Sequence, residues 1–190
     1  VRAGSLPPGA LYTLRAGEMV GSRRKGETFA LEQDLVKIRL HPRRGGCVLL
    51  ERDLCSIHPH RPLQCRHLEC WSDSNAGDLE GLPRLDRREL FRDDPVALQL
   101  ADEYDVKVPA ARLARLLRRA AGGARGEAGE ALSLLDLDHR LRAGIAARHG
   151  YDPDTQLLLL GRPALEVARA HGLRVAVREG EPTLEPAHPP

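Results

Sequence analysis

Aromatic residues are scarce in this 190-residue chain, which has one Trp, two Phe and three Tyr. Few rings are available to stack on bases, so the composition argues against a single-stranded nucleic-acid platform. Lysine is also scarce: only Lys25, Lys37 and Lys107 carry an ammonium, and the remaining basic residues are arginine. That bias reads as GC-rich coding, as in a bacterial source, and no function is attached to it. Charge of one sign is missing too. The formal net charge of +2 reflects intermixed Arg and Asp/Glu and not a basic tail. No long hydrophobic run occurs; the longest apolar stretch lies near Leu157–Leu160, far too short to span a bilayer. No hydrophobic signal segment opens the chain, although it begins at Val1 and not at Met. A cytoplasmic protein with no membrane partner is expected. Gly-x-Ser-x-Gly, His-Glu-x-x-His and a paired-carboxylate site are absent, and Gly122-Gly123-Ala124-Arg125-Gly126 lacks the Gly-Lys-Ser/Thr ending of a phosphate loop.

Cysteine is absent everywhere except in one window. Cys47, Cys55, Cys65 and Cys70 fall together with His58, His60 and His67. Four soft thiolate donors close in sequence are raw material for a zinc or iron–sulfur site. The spacing is C-x7-C-x9-C-x4-C, without the C-x2-C pair of a zinc finger. Two other readings compete. Free cysteines can be small buried apolar residues, and four could form two disulfides in an oxidising compartment.

Cys47–Leu50 and Leu54–Ile57 read as short strands joined at Glu51-Arg52-Asp53. If those three residues form the turn, Leu49 faces Cys55, and Cys47 and Cys55 point to one side of the hairpin. A two-residue turn at Arg52-Asp53 would put them on opposite faces. Cys65 and Cys70 would lie about 140° apart on a helix, so they cannot share a helix face. A loop or irregular turn is expected there, stiffened by Pro59 and Pro62. Cys65 with His67 is also a candidate thiolate–imidazole pair, though His67 as a ligand, an outer-shell donor or an exposed residue fits better. Arg61 and Arg66 either donate hydrogen bonds to the sulfurs or lie on the surface.

The rest of the chain reads as follows. Ala10–Leu14 is a short apolar piece and Leu35–Leu40 a strand. Ser72–Pro83 is a linker. Asp94-Pro95 starts a helix to about Tyr104. Val108-Pro109 opens a second, with Leu113, Leu116, Leu117 and Ala120 on one face and Gly122-Gly123 at its end. A third spans Glu127–Arg148 and ends at Gly150, with Leu134, Leu137, Leu141 and Ile145 as its apolar stripe. Asp136–Arg140 and Asp138–Arg142 are i,i+4 pairs, each contributing a few tenths of a kcal/mol on an exposed face. Asp152-Pro153 starts a short helix, Gly161-Arg162-Pro163 breaks it, and Ala164–His171 resumes. Leu173–Val177 is a last strand, followed by an unstructured tail. Arg112, Arg115 and Arg119 form a stripe whose ordinary reading is the solvated side of an amphipathic helix.

The expected fold is therefore α+β: a small cysteine-rich β-hairpin and loop metal module over 1–82, a mostly α-helical region packed on it over 83–178, and a disordered tail over 179–190. The expected metal ligands are Cys47, Cys55, Cys65 and Cys70.

Cys47-Val48-Leu49-Leu50, Cys55-Ser56-Ile57-His58, Arg61-Pro62, Cys65-Arg66 and Cys70-Trp71 together resemble the YkgJ-type cysteine-cluster family, described as a zinc- or iron-chelating domain, with His58 where that family usually has Tyr. Leu11–Glu18 and Leu160-Gly161-Arg162-Pro163 are similar to one branch of it. The specific likeness covers about residues 10–71. Family members usually carry an earlier Cys-x-x-Cys-Cys group, whereas nothing before Cys47 here is cysteine; the resemblance implies that this chain enters the pattern after that group. It implies metal binding, with an iron centre or iron–sulfur cluster ahead of structural zinc, and no defined reaction. The alternatives are a metal-dependent oxidoreductase, and a zinc-stabilised module that binds nucleic acid or a protein partner.

Overall fold

The computed structural model describes residues 6–21, 27–41, 46–68 and 84–187. Short antiparallel strands come first: β1 (Leu11–Leu14), β2 (Met19–Gly21), β3 (Thr28–Ala30) and β4 (Leu35–Ile38). β1 pairs with β4 in the register Leu11–Ile38 to Leu14–Leu35, and β2 pairs with β3. The cysteine segment follows, with β5 (Leu50–Glu51), β6 (Leu54–Cys55) and helix α1 (Leu63–Leu68). Helices then dominate: α2 (Arg87–Leu90), α3 (Pro95–Lys107), α4 (Ala110–Ala121), α5 (Arg125–His149), α6 (Pro153–Leu159) and α7 (Ala164–Ala170). A hairpin of β7 (Leu173–Arg178) and β8 (Glu181–Pro186) closes the order. The α+β class is as expected.

Local signals set the helix ends. Asp94 caps α3 through its side chain and the Ala97 N–H (2.9 Å), and Asp152 caps α6 through the Thr155 N–H (2.6 Å). Each is followed by proline at N1, whose missing N–H costs nothing there. Gly150 ends α5 in the left-handed region at φ 69°, which glycine enters without a Cβ penalty.

α5 is the central element. Ala131, Leu134 and Leu135 join Leu113, Leu116 and Leu117 of α4, with Ala164, Val167 and Ala168 of α7 and Leu173 of β7. The lower half of α5 brings Ile145, backed by Leu137 and Leu141, against Ala97, Ala101 and Tyr104 of α3 and Leu159-Leu160. One helix thus serves two clusters, and Ala131 and Leu135 add a second apolar face to the expected stripe.

Two structural expectations are corrected. The region 179–190 is not simply a tail, because β8 pairs with β7 from Arg178–Glu181 to Leu173–Pro186. Glu179 (φ 53°) and Gly180 (φ 88°) form a two-residue turn of the kind that matches strand twist, and Leu184 packs on the α4–α5–α7 cluster. The Asp138–Arg142 pair is not on an exposed face: Asp138 is only 3% exposed. The expected linker Ser72–Pro83 lies outside the described residues.

The early strands are tied to the helices by buried polar contacts. Thr13 Oγ1 donates to the Leu158 carbonyl (2.6 Å), Arg15 Nη1 donates to the Val108 carbonyl (2.8 Å), and the Val36 N–H donates to the Leu85 carbonyl (2.9 Å). Residues 6–41 therefore pack with the helical region. The cysteine segment hangs from β4 through an isolated Leu40–Cys47 bridge and the Val48 N–H to Arg39 carbonyl bond (3.1 Å).

Candidate metal centre

Cys47 lies in that bridge and then enters a turn, closed by the Leu50 N–H on the Cys47 carbonyl (3.1 Å). The expected strand Cys47–Leu50 is thus mostly turn, and only Leu50–Glu51 is strand. The hairpin uses the two-residue turn: Leu50 faces Cys55 and Glu51 faces Leu54, with Arg52 (φ 50°) and Asp53 (φ 66°) both left-handed. That is a primed turn built without glycine, an uncommon choice for side chains with a Cβ. Because Cys47 stands outside β5, strand alternation does not decide how it lies relative to Cys55.

Cys65 sits in α1, where a loop was expected. The described part of α1 spans Leu63–Leu68. Cys70 and the His67 side chain lie outside the described residues, so the four-thiolate arrangement is only partly in view. Cys47, Cys55 and Cys65 are all half-buried, and none belongs to a hydrophobic cluster. This disfavours inert core cysteines. Cys47 and Cys55 are free thiols, not half-cystines. Cys47 Sγ accepts the Leu49 N–H at 3.5 Å, the type of hydrogen bond to sulfur that stabilises a thiolate and tunes a metal site. Arg61 Nε donates to the His58 carbonyl and Arg66 Nε to the Arg61 carbonyl, both at 3.1 Å, so the two arginines brace the segment. Among the described residues, no three His, Cys, Asp or Glu side chains are grouped to hold a metal. Leu40 (65% exposed), Leu54 (74%) and Leu63 (45%) leave apolar surface open around the cysteines.

A second constellation was not anticipated as a unit. Glu18, 1% exposed, accepts Arg162 Nη2 (2.6 Å) and Nε (3.2 Å), and also the Arg15 N–H (3.0 Å). The two segments singled out by resemblance, Leu11–Glu18 and Leu160–Pro163, therefore meet. Gly17 (φ 85°) allows the close approach: a Cβ there would lie 2.8 Å from the Ala111 Cβ. Nearby, the guanidiniums of Arg15 and Arg142 lie over the Tyr104 ring, 4.9 Å and 5.4 Å from its centre. Its hydroxyl donates to Asp138, which also accepts Arg142 Nε (2.6 Å) and the Ala164 N–H at the start of α7 (2.8 Å). Burial pushes the Tyr104 hydroxyl up to about 12; the two arginines oppose that shift and Asp138 adds to it. Arg87 pairs with Asp34, the residue before β4, and with Asp105 of α3. These contacts join residues up to 144 apart in sequence. They fasten β1, α3, α5 and the bend before α7, and their chemistry is structural.

The Arg112–Arg119 stripe behaves as a solvated face: Arg112 pairs with Glu130 (2.8 Å) and Arg119 with Glu127 (2.7 Å), all on the α4–α5 surface. No helix among the described residues is long and apolar enough to cross a membrane. No family model, curated protein or solved structure matches this chain.

Proposed function

We propose that this is a metal-binding cysteine-cluster protein in which Cys47, Cys55, Cys65 and Cys70 hold an iron centre or iron–sulfur cluster, with zinc as the alternative. One observation carries the reading: every cysteine of the chain lies in the window 47–70, and the three that are described stand half-buried outside the hydrophobic core. Thiolates select soft-tolerant metals, and thiolate-only ligation suits both iron–sulfur clusters and zinc. The Leu49 N–H on Cys47 Sγ fits that use. The reading places the protein in the reducing cytoplasm, where thiols stay available as ligands. It assigns no reaction, and use of the metal in an oxidoreductase would need an open coordination position.

A second reading, a zinc-stabilised protein-binding module, draws on the exposed Leu40, Leu54 and Leu63 beside the cysteines. A nucleic-acid role has less support, since two arginines of the basic stripe are already paired to carboxylates.

The test is metal analysis with an absorption spectrum of anaerobically purified protein, repeated for Cys→Ser at each of the four positions. Bound iron with visible charge-transfer bands, lost in every variant, is the expected result. Bound zinc without visible bands, lost in every variant, makes zinc the metal of the same four-cysteine site. Protein that binds neither metal while all four thiols react freely overturns both.

A further inference from the structure

A cavity of about 430 Å³ opens between β1, β4, the β2–β3 hairpin and helices α4 and α7. Among the described residues that line it, Lys37, Arg118, Arg162 and His171 are basic and none is acidic. They arrive from separate places: β4, the last turn of α4, the bend before α7 and the residue after it. Gathering like charges around one concavity is unfavourable unless an anion offsets them. One offset is built in. Glu18 lies buried behind Arg162 and grips its Nε and Nη2, which fixes the guanidinium. Arg118 is exposed and makes no ion pair among the described residues. Tyr12 adds a half-buried hydroxyl, and Met19 and Val20 supply an apolar wall. The volume is in the range of small-molecule sites, which pair apolar walls with a few convergent polar groups.

We propose that this cavity binds a small organic phosphate, its phosphoryl oxygens against Arg118, Arg162 and His171 and its apolar body along Met19 and Val20. A phosphate dianion spreads its charge over several oxygens, and arginine's planar fork matches that geometry. A phosphate also presents more acceptor oxygens than a monocarboxylate to donors that arrive from separate elements. The site is separate from the cysteine window, and the inference does not rest on the metal reading. Occupancy has its own signature. His171 is held below the ordinary histidine value by burial, Arg162 and Arg118, with only Glu18 opposing them. A bound dianion acts in the opposite direction and raises it.

Phenyl phosphate, phenol and inorganic phosphate serve as probes of the full chain, by calorimetry and by NMR titration of the His171 ring. Phenyl phosphate is expected to saturate one site more tightly than inorganic phosphate, phenol is expected not to bind, and the His171 pKa is expected to rise on saturation. Arg118→Gln removes a charge-assisted contact from an exposed position and should weaken binding about tenfold or more. Arg140→Gln, an exposed arginine on α5 outside the cavity, should leave it unchanged. Several results would overturn the proposal: no saturable binding at millimolar probe, equal weakening by both variants, equal affinity for inorganic phosphate, or saturation without a His171 shift.

Discussion

Asp138→Ala is the sharpest probe of the buried network, because sequence gives Asp138 and Asp136 the same i,i+4 relation to an arginine and structure separates them. Asp138 receives three donors: the Tyr104 hydroxyl, Arg142 Nε and the Ala164 N–H. Its side chain is 4% exposed, and that of Arg142 is 12% exposed. Truncation leaves a buried guanidinium without its carboxylate, a perturbation that costs roughly 3–5 kcal/mol. Three orphaned donors at about 1–3 kcal/mol each give a similar or larger figure before relaxation. For a chain of this size, each kcal/mol lowers Tm by about 2–4 °C, so the expected fall is roughly 6–20 °C. Asp136 and Arg140, 63% and 67% exposed, form the control. Asp136→Ala should cost about 0.3–0.5 kcal/mol, roughly 1–2 °C. Tyr104→Phe removes one donor and leaves Asp138 two others, so an intermediate loss is expected even if Asp138→Ala fails to fold. Urea and thermal unfolding followed by circular dichroism provide the measurement. Equal small losses for Asp138→Ala and Asp136→Ala would refute the claim that the pair is buried and structural.

Alkaline unfolding should show Tyr104. Its folded pKa of about 12 lies above the ordinary tyrosine value of 10.0, so between those values the native state keeps a proton that the unfolded chain has lost. Stability should therefore be constant below about pH 10 on this account and fall as pH rises toward 12; in Tyr104→Phe that part of the fall should disappear, while a profile identical to wild type would exclude Tyr104 as its source. Deleting residues 181–190 should lower Tm by several degrees, because it strips β7 of its strand partner β8 and uncovers the cluster under Leu184. An unchanged Tm would mean that the tail expected from sequence is the better description.

The cysteine window shows how far local reasoning reaches. That four thiols lie close together was legible from their positions alone. Which hairpin register they adopt was not, since it depends on whether Arg52 and Asp53 accept positive φ, and neither residue announces that conformation as Asn-Gly would. The helix over Cys65 was missed because a loop was inferred from the Cys65–Cys70 spacing alone. β8 was missed because Pro182, Pro186 and the glutamates around them look like a polar tail. The Glu179-Gly180 turn was the available signal, and pairing with β7 together with burial of Leu184 decided the outcome.

Sequence by itself determined the helices from α3 to α7 and most of their ends. Asp94-Pro95, Asp152-Pro153 and Gly150 act through contacts within a turn of themselves, so their meaning survives without knowing the fold. The apolar stripe of α4 likewise needed only its 3.6-residue period. Tertiary structure alone decided which charges are buried and which side chains share a cavity. Nothing local distinguishes Asp138 from Asp136, or Arg118 from its neighbours on α4. Glu18 finds Arg162 from 144 residues away. Long-range electrostatics depends on where the backbone returns, and that is fixed only when α5 packs between its two clusters and the bend at Gly161 is pressed against β1.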